Sequence, residues 1–355
     1  MNSTLSRRRV MQAAGTAALS SALAPAAPVP GAPAEGSDTP KICLPLTGAD
    51  ATAMRRVKQL GVNHVLGGAG RIPWQEADLR ARMEQLKSAG LTLGNLMIGG
   101  FPNTLYGKPG RDEEIDKVRQ SIRAAGRAGL PVIEYNFYAH RAVEGYYEEL
   151  GRAGAGMTAF DYDKVKDLPP LPQEGAHSLE EMWGNVAYFL KAVVPVAVEA
   201  GVRLALHPND PPAPVSRGSG QIMGTVEGWK RLIEIVPSPA NGITFDCGVT
   251  REMGHDPVET CRYFMKRDCV NHVHFRNVVM KVPREKYTEV FPDEGEVDMF
   301  AVMKELVKNK YNRTIYPEHP RGLDYDREDG RRGSYTGWVF NVAYARAMLQ
   351  AALAS

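Results

Sequence analysis

The chain has 355 residues, 43% of them apolar, and a formal net charge of +2 at neutral pH. That length supports one large buried core, and a charge so near zero gives no footing for nucleic acid or an acidic surface, so a small molecule is the expected partner. Four cysteines, Cys43, Cys247, Cys261 and Cys269, show no paired spacing; Cys261 and Cys269 would stand about 12 Å apart along one helix, so core filling is expected and not a disulfide framework.

Residues 1–34 stand apart from the rest. Ser6-Arg7-Arg8-Arg9-Val10-Met11 sets consecutive arginines before a modest Ala/Leu-rich run, and Ala32-Pro33-Ala34 offers a small-residue cleavage site, the pattern of a twin-arginine export signal. The apolar run is too short and too Ala-rich to span a bilayer. A periplasmic or otherwise exported protein, with no membrane span in its mature part, is therefore expected.

Residues 35–355 are expected to form a single catalytic domain. Short apolar runs alternate there with longer amphipathic ones about eight times. The strand candidates are Ile42 to Leu46, Asn63 to Gly67, Thr92 to Ile98, Val132 to Tyr138, Arg203 to His207, Gly242 to Cys247, Val270 to Phe275 and Thr314 to Pro317. Helical patterns are clearest at Arg111 to Ala128, Ser178 to Ala200, Thr225 to Val236, Asp298 to Asn309 and Trp338 to Leu353. Ser178 with Glu181 is a capping box, Thr225 is a good cap, and Gly90, Gly129 and Gly201 stand where helices should stop. Strands alternating with helices imply parallel pairing, and eight such units fit a closed α/β barrel, the (β/α)8 or TIM barrel, better than an open sheet. Gly67-Gly68-Ala69-Gly70 follows the second strand and lacks the spacing of a dinucleotide fingerprint. The Gly- and Pro-rich stretch from Ala139 to Gly175 reads as a long loop over the barrel mouth.

The last four strand candidates end alike. Leu204-Ala205-Leu206-His207-Pro208-Asn209-Asp210, Ile243-Thr244-Phe245-Asp246-Cys247-Gly248, His272-Val273-His274-Phe275-Arg276-Asn277 and Tyr316-Pro317-Glu318-His319 each run from apolar residues into groups that ionise or coordinate. Barrel enzymes carry their chemistry at the carboxyl ends of the strands, so these groups should converge. His207, Asp246, His274 and Glu318 would supply two imidazoles and two carboxylates, a donor set for Mn²⁺ or another divalent ion such as Fe²⁺, Co²⁺ or Mg²⁺.

His207-Pro208-Asn209-Asp210-Pro211-Pro212, the strand ending at Gly248, His274-Phe275-Arg276-Asn277, Gly295-Glu296-Val297-Asp298-Met299 and Pro317-Glu318-His319 resemble, in order, the motifs of mannonate dehydratases. Pro109-Gly110-Arg111-Asp112-Glu113 and Tyr135-Asn136-Phe137 are similar to that family too. The resemblance implies a xylose-isomerase-like barrel that converts D-mannonate to 2-keto-3-deoxy-D-gluconate with loss of water, using Mn²⁺ or a comparable ion. It makes His207 and His274 metal ligands, sets Glu318 where the family has Asp, and drops the family's ligating Cys onto Asp246. Adjacent strand residues face opposite ways, so Asp246 is expected to ligate in preference to Cys247. The family's catalytic His maps to His319 and its catalytic Tyr to Tyr335; which acts as base is left open. Arg276 is a candidate for the substrate carboxylate, and Asn209 and Asn136 for sugar hydroxyls.

This sequence departs from the family at Pro292-Asp293-Glu294-Gly295-Glu296, which replaces a His-Leu-x-Gly-Asp pattern, and in lacking a Trp-x-Arg pattern after the fourth strand. An isomerase or epimerase of the same superfamily, working through a metal-held enediolate, is therefore the enzymatic alternative. A non-catalytic periplasmic sugar-binding barrel is the alternative of another class. The outer helices of barrels often pair subunits, so a homo-oligomer is also expected.

Overall fold

Eight parallel strands close on themselves in the computed structural model of the protein, which describes residues 35–46, 50–139, 144–328 and 335–355. They are β1 (Lys41–Pro45), β2 (His64–Gly68), β3 (Thr92–Ile98), β4 (Val132–Tyr135), β5 (Arg203–Leu206), β6 (Asn241–Asp246), β7 (Val270–His274) and β8 (Thr314–Tyr316). Each strand pairs with the next in sequence, and β1 closes on β8 with Lys41 opposite Thr314 and Ile42 opposite Ile315. The expected (β/α)8 barrel is the fold observed. The proposed export leader, residues 1–34, lies outside the described residues.

One long helix follows each strand: α1 (Ala51–Gln59), α2 (Glu76–Ser88), α3 (Arg111–Ala128), α4 (Leu179–Ala200), α5 (Val226–Ile235), α6 (Pro257–Met265), α7 (Met299–Lys308) and α8 (Tyr335–Leu353). Their ends obey local chemistry. The Ser178 hydroxyl accepts from the Glu181 amide while the Glu181 carboxylate accepts from the Ser178 amide, closing the capping box that starts α4. Gly201 stops that helix at φ +67°. The helices bury Val186, Phe189, Leu190, Trp229 and Phe264 against the outside of the barrel, so the strands are covered on that side by apolar side chains. No helix among the described residues is long and apolar enough to cross a membrane.

The inside of the barrel is different. Asn95 and Thr244 both donate to Glu134, and His272 Nδ1 lies 2.8 Å from the Thr314 hydroxyl, every one of these residues being buried. Polar groups in so dry a space persist because hydrogen bonds among them offset much of the cost of burial.

The stretch from Ala139 to Gly175 is not the loop expected. Tyr146–Leu150 and Gly156–Asp161 are strands of a four-stranded antiparallel sheet completed by the hairpin strands Asn277–Val282 and Lys286–Val290 that follow β7. The pairing joins segments more than a hundred residues apart, which local patterning does not register. Residues of this sheet, Tyr146, Thr158 and Glu289, line a cavity together with the barrel's strand ends, so the sheet forms a wall over the mouth.

Close approach of β6 to β7 depends on Gly242, where a β-carbon would lie 2.4 Å from the Cys269 carbonyl oxygen and 2.4 Å from Asn271 Nδ2. Gly242→Ala is expected to lower stability by about 1–3 kcal/mol, the usual range for overpacking, as read by urea unfolding; an unchanged midpoint would show that the two strands part freely there.

Candidate active site

His207 follows β5, Asp246 ends β6, His274 ends β7 and Glu318 lies just past β8. Barrel closure brings the four together. His207 Nε2 is 3.2 Å from His274 Nδ1, and that same Nδ1 is 3.0 Å from Glu318 Oε1 and 3.7 Å from Asp246 Oδ2. All four are buried. Donors held about 2.1 Å from one divalent ion stand about 3.0 Å apart at right angles and about 3.4 Å apart at tetrahedral angles. Two overlapping trios, Asp246 with His274 and Glu318, and Glu134 with His207 and His274, each bring one ligand atom per residue within 4.8 Å of one another; His274 is common to both, and imidazoles with carboxylates suit a Mn²⁺-like ion. His207 Nδ1 lies 2.7 Å from the Pro208 carbonyl; donation there leaves Nε2 free to coordinate.

The structure also separates Asp246 from Cys247. Asp246 Oδ1 caps the short helix Cys247–Glu252 by accepting from the Val249 amide at 2.8 Å, which leaves Oδ2 on the His274 side. Cys247 points into the apolar core. Glu318 and His319, though adjacent in sequence, both line the cavity. A tight turn re-aims them: the Glu318 amide donates to the Tyr316 carbonyl at 2.9 Å, and His319 takes φ +48°, a left-handed conformation unusual for a non-glycine residue. From α8, Asn341 donates to the carbonyls of Pro317 and Glu318 and holds the turn. His319 Nδ1 is 3.0 Å from Glu289 Oε2 and its Nε2 is 3.5 Å from Glu318 Oε2. Burial alone would lower its pKa, but the Glu289 and Glu318 carboxylates push it up to about 9.

Three expected substrate contacts fare differently. Arg276 is 2% exposed and absent from the cavity wall. Its Nε donates to Asp246 Oδ2 and Glu318 Oε1, each at 3.1 Å, its Nη1 to Glu252 at 2.6 Å and its Nη2 to Asp210 at 3.1 Å. A guanidinium shared among four carboxylates has no fork to offer a substrate, so Arg276 braces the donor set instead. Asn209 is 0% exposed, donates to Gln221 and accepts from the Met223 amide; it ties down the loop after β5 and does not reach the cavity. Asn136 does line it, with a buried Oδ1 that has no hydrogen-bond partner among the described residues. Tyr335 is the first residue of α8, 41% exposed and outside the wall, while Tyr138, Tyr146 and Tyr316 are part of it.

The sequence alone assigns no individual role to Glu134, Asp210, Glu289 or Arg321, all of which line the cavity. Asp210 had a visible signal in its place three residues after His207. Glu289 belongs to the unforeseen hairpin, where it also accepts from Arg321 Nη2 at 2.8 Å. The cavity they enclose has a volume of about 670 Å³, ample for a six-carbon sugar acid.

A parallel barrel whose strand ends assemble a cation donor set beside an imidazole is the architecture of a metal-dependent barrel enzyme. The sequence profile of D-mannonate dehydratase (UxuA) matches residues 46–171 and 173–354. Mannonate dehydratase of Thermotoga petrophila is 29% identical over 314 residues, covering 77% of this chain and 86% of that one. The crystal structure of mannonate dehydratase from Streptococcus suis serotype 2 superposes with a TM-score of 0.80 at 26% identity, covering 89% of this chain and 95% of that one. A structure of L-ribulose 3-epimerase, at 13% identity and a TM-score of 0.55, shares the fold alone. The chain belongs to the mannonate dehydratase family, and its reaction class is that of a hydro-lyase.

Replacing Arg276 tests its bracing role. Arg276→Met leaves buried carboxylates without their cation and is expected to cost about 3–5 kcal/mol in urea unfolding. A variant as stable as wild type, altered solely in KM for substrate, would return Arg276 to the substrate's carboxylate.

Proposed function

We propose that the protein removes water from D-mannonate to give 2-keto-3-deoxy-D-gluconate. The observation that carries this reading is the convergence of His207, Asp246, His274 and Glu318 beside His319, in a chain that the family profile spans almost from end to end.

The elimination breaks the C2–H and C3–O bonds, releases the C3 hydroxyl with a proton as water, and leaves an enol that tautomerises to the 2-keto acid. A divalent ion, when bound by those four residues, supplies Lewis acidity to substrate oxygens and so acidifies the C2 proton. His319 is the proposed group for one proton transfer. Glu289 holds its Nδ1, which turns Nε2 toward Glu318 and the cavity, the nitrogen available to hold or move a proton. Tyr335 is proposed as the second partner on the strength of the family motif. Asn136, with its unpartnered Oδ1 at the wall, would accept from a substrate hydroxyl. The antiparallel sheet over the mouth would limit entry of bulk water during the reaction. We further infer export through the twin-arginine leader, which cell fractionation and N-terminal sequencing of the mature protein would test.

Purified protein with Mn²⁺ and D-mannonate is expected to form a 2-keto-3-deoxy acid detectable with thiobarbiturate, and to stop doing so after chelation. Unchanged mannonate together with interconverted ketoses would overturn the dehydratase in favour of an isomerase or epimerase.

Two substitutions check the proton-transfer pair. His319→Asn is expected to lower kcat by about 10²-fold or more with metal content unchanged, and Tyr335→Phe to fall by a similar factor. Full activity in Tyr335→Phe would transfer that role to a tyrosine of the wall.

A further inference from the structure

Glu134 lies on β4 inside the barrel, 3% exposed, below the candidate cation site. Its Oε1 accepts from the Thr244 hydroxyl at 2.8 Å and its Oε2 from Asn95 Nδ2 at 2.9 Å, so both oxygens are fixed by side chains from β6 and β3. That same Oε1 is 3.4 Å from His274 Nε2, the long end of a hydrogen bond. The other ring nitrogen, Nδ1, faces His207, Glu318 and Asp246. His274 is thus held between an acceptor on one side and the donor set on the other.

A neutral imidazole coordinates through one nitrogen and carries its proton on the other, and the acceptor facing the protonated nitrogen decides which is which. His207 has such an acceptor in the Pro208 carbonyl on Nδ1 and is left with Nε2 for the ion. His274 needs the opposite arrangement, because its Nδ1 is the nitrogen turned to the other donors. We infer that Glu134 is the positioning residue that supplies it, holding the proton of His274 on Nε2 and fixing the ring so that Nδ1 meets the cation. Thr244 and Asn95 act one step further out by fixing the carboxylate. The inference rests on the reading of His274 as a cation ligand and goes beyond it by assigning the tautomer, the coordinating nitrogen and the group that sets both.

Nothing in the His319 chemistry requires Glu134. No carboxylate stands on this side of His274 other than Glu134 among the described ion pairs.

The test is Glu134→Gln, which keeps the volume and removes the charge. Asn95 Oδ1 has no partner among the described residues, so the Asn95 amide can turn over and accept from the side-chain amide introduced opposite it, with no more unpaired polar atoms than the wild type has. Titration of apo-protein with Mn²⁺, followed by the electron paramagnetic resonance of the free ion, should show affinity reduced by about 10- to 100-fold, with the thermal midpoint of the apo-protein close to wild type. Thr244→Val should weaken binding less. In ¹⁵N-histidine spectra of Zn²⁺-loaded wild type, His274 should carry a slowly exchanging proton on Nε2. A proton on Nδ1, or Mn²⁺ affinity in Glu134→Gln equal to that of wild type, overturns the inference while His274 remains a ligand. Wild-type protein that binds no Mn²⁺ at all removes the ligand reading, and the inference with it.

Discussion

The site depends on how the protein keeps several carboxylates ionised in a space without water. Asp210, Asp246, Glu252 and Glu318 all touch one buried guanidinium, that of Arg276. Burial alone would drive Asp246, Glu252 and Glu318 toward their neutral forms. At Asp246 the Arg276 and His274 charges outweigh it and hold the carboxyl well below the usual carboxylate range, and at Glu318 nearby imidazoles have the same effect. At Glu252 burial prevails, with Asp210 and Asp246 adding to it, and the group rises well above that range. Arg276 and the neighbouring imidazoles together therefore sustain the anionic half of the donor set before any ion arrives.

Everything around that cluster serves to aim it. Barrel closure sets the strand ends a few ångströms apart, and the capping role of Asp246 Oδ1 leaves its second oxygen for the donor set. The left-handed φ of His319 costs backbone strain of order 1–3 kcal/mol, and what it achieves is to put ligand and proton-transfer candidate on the same wall. Asn341 from α8 holds the two carbonyls of that turn. The antiparallel sheet brings Glu289 to His319 from the far side, so His319 is oriented by an element that is no part of the barrel.

Much of this was legible in the sequence because it obeys short-range rules. Alternation of apolar runs with capped amphipathic stretches marks the strands and helices, and His207, Asp246, His274 and Glu318 announce themselves as polar residues ending apolar runs. What escaped had other causes. Glu134 hides within an apolar strand because the barrel interior is polar there, and periodicity cannot say what lies across a closed sheet. Tyr146, Thr158 and Glu289 reach the cavity through pairing between distant segments whose Gly, Pro and acidic residues read as loop. Arg276 follows a ligand histidine by two residues, a place that suits a substrate contact equally well, and its partners became visible only in three dimensions. The neighbourhood of Asn209 is similar: an amide after the ligand His207, spent on its own loop. Cys247 and Asp246 were separable by strand register, and the structure keeps that order.

Anomalous diffraction at the manganese edge from crystals of the Mn²⁺-loaded protein would address the central claim most directly. One strong peak is expected within coordination distance of His207 Nε2, Asp246, His274 Nδ1 and Glu318. An empty cluster, or a peak held by other side chains, would contradict it.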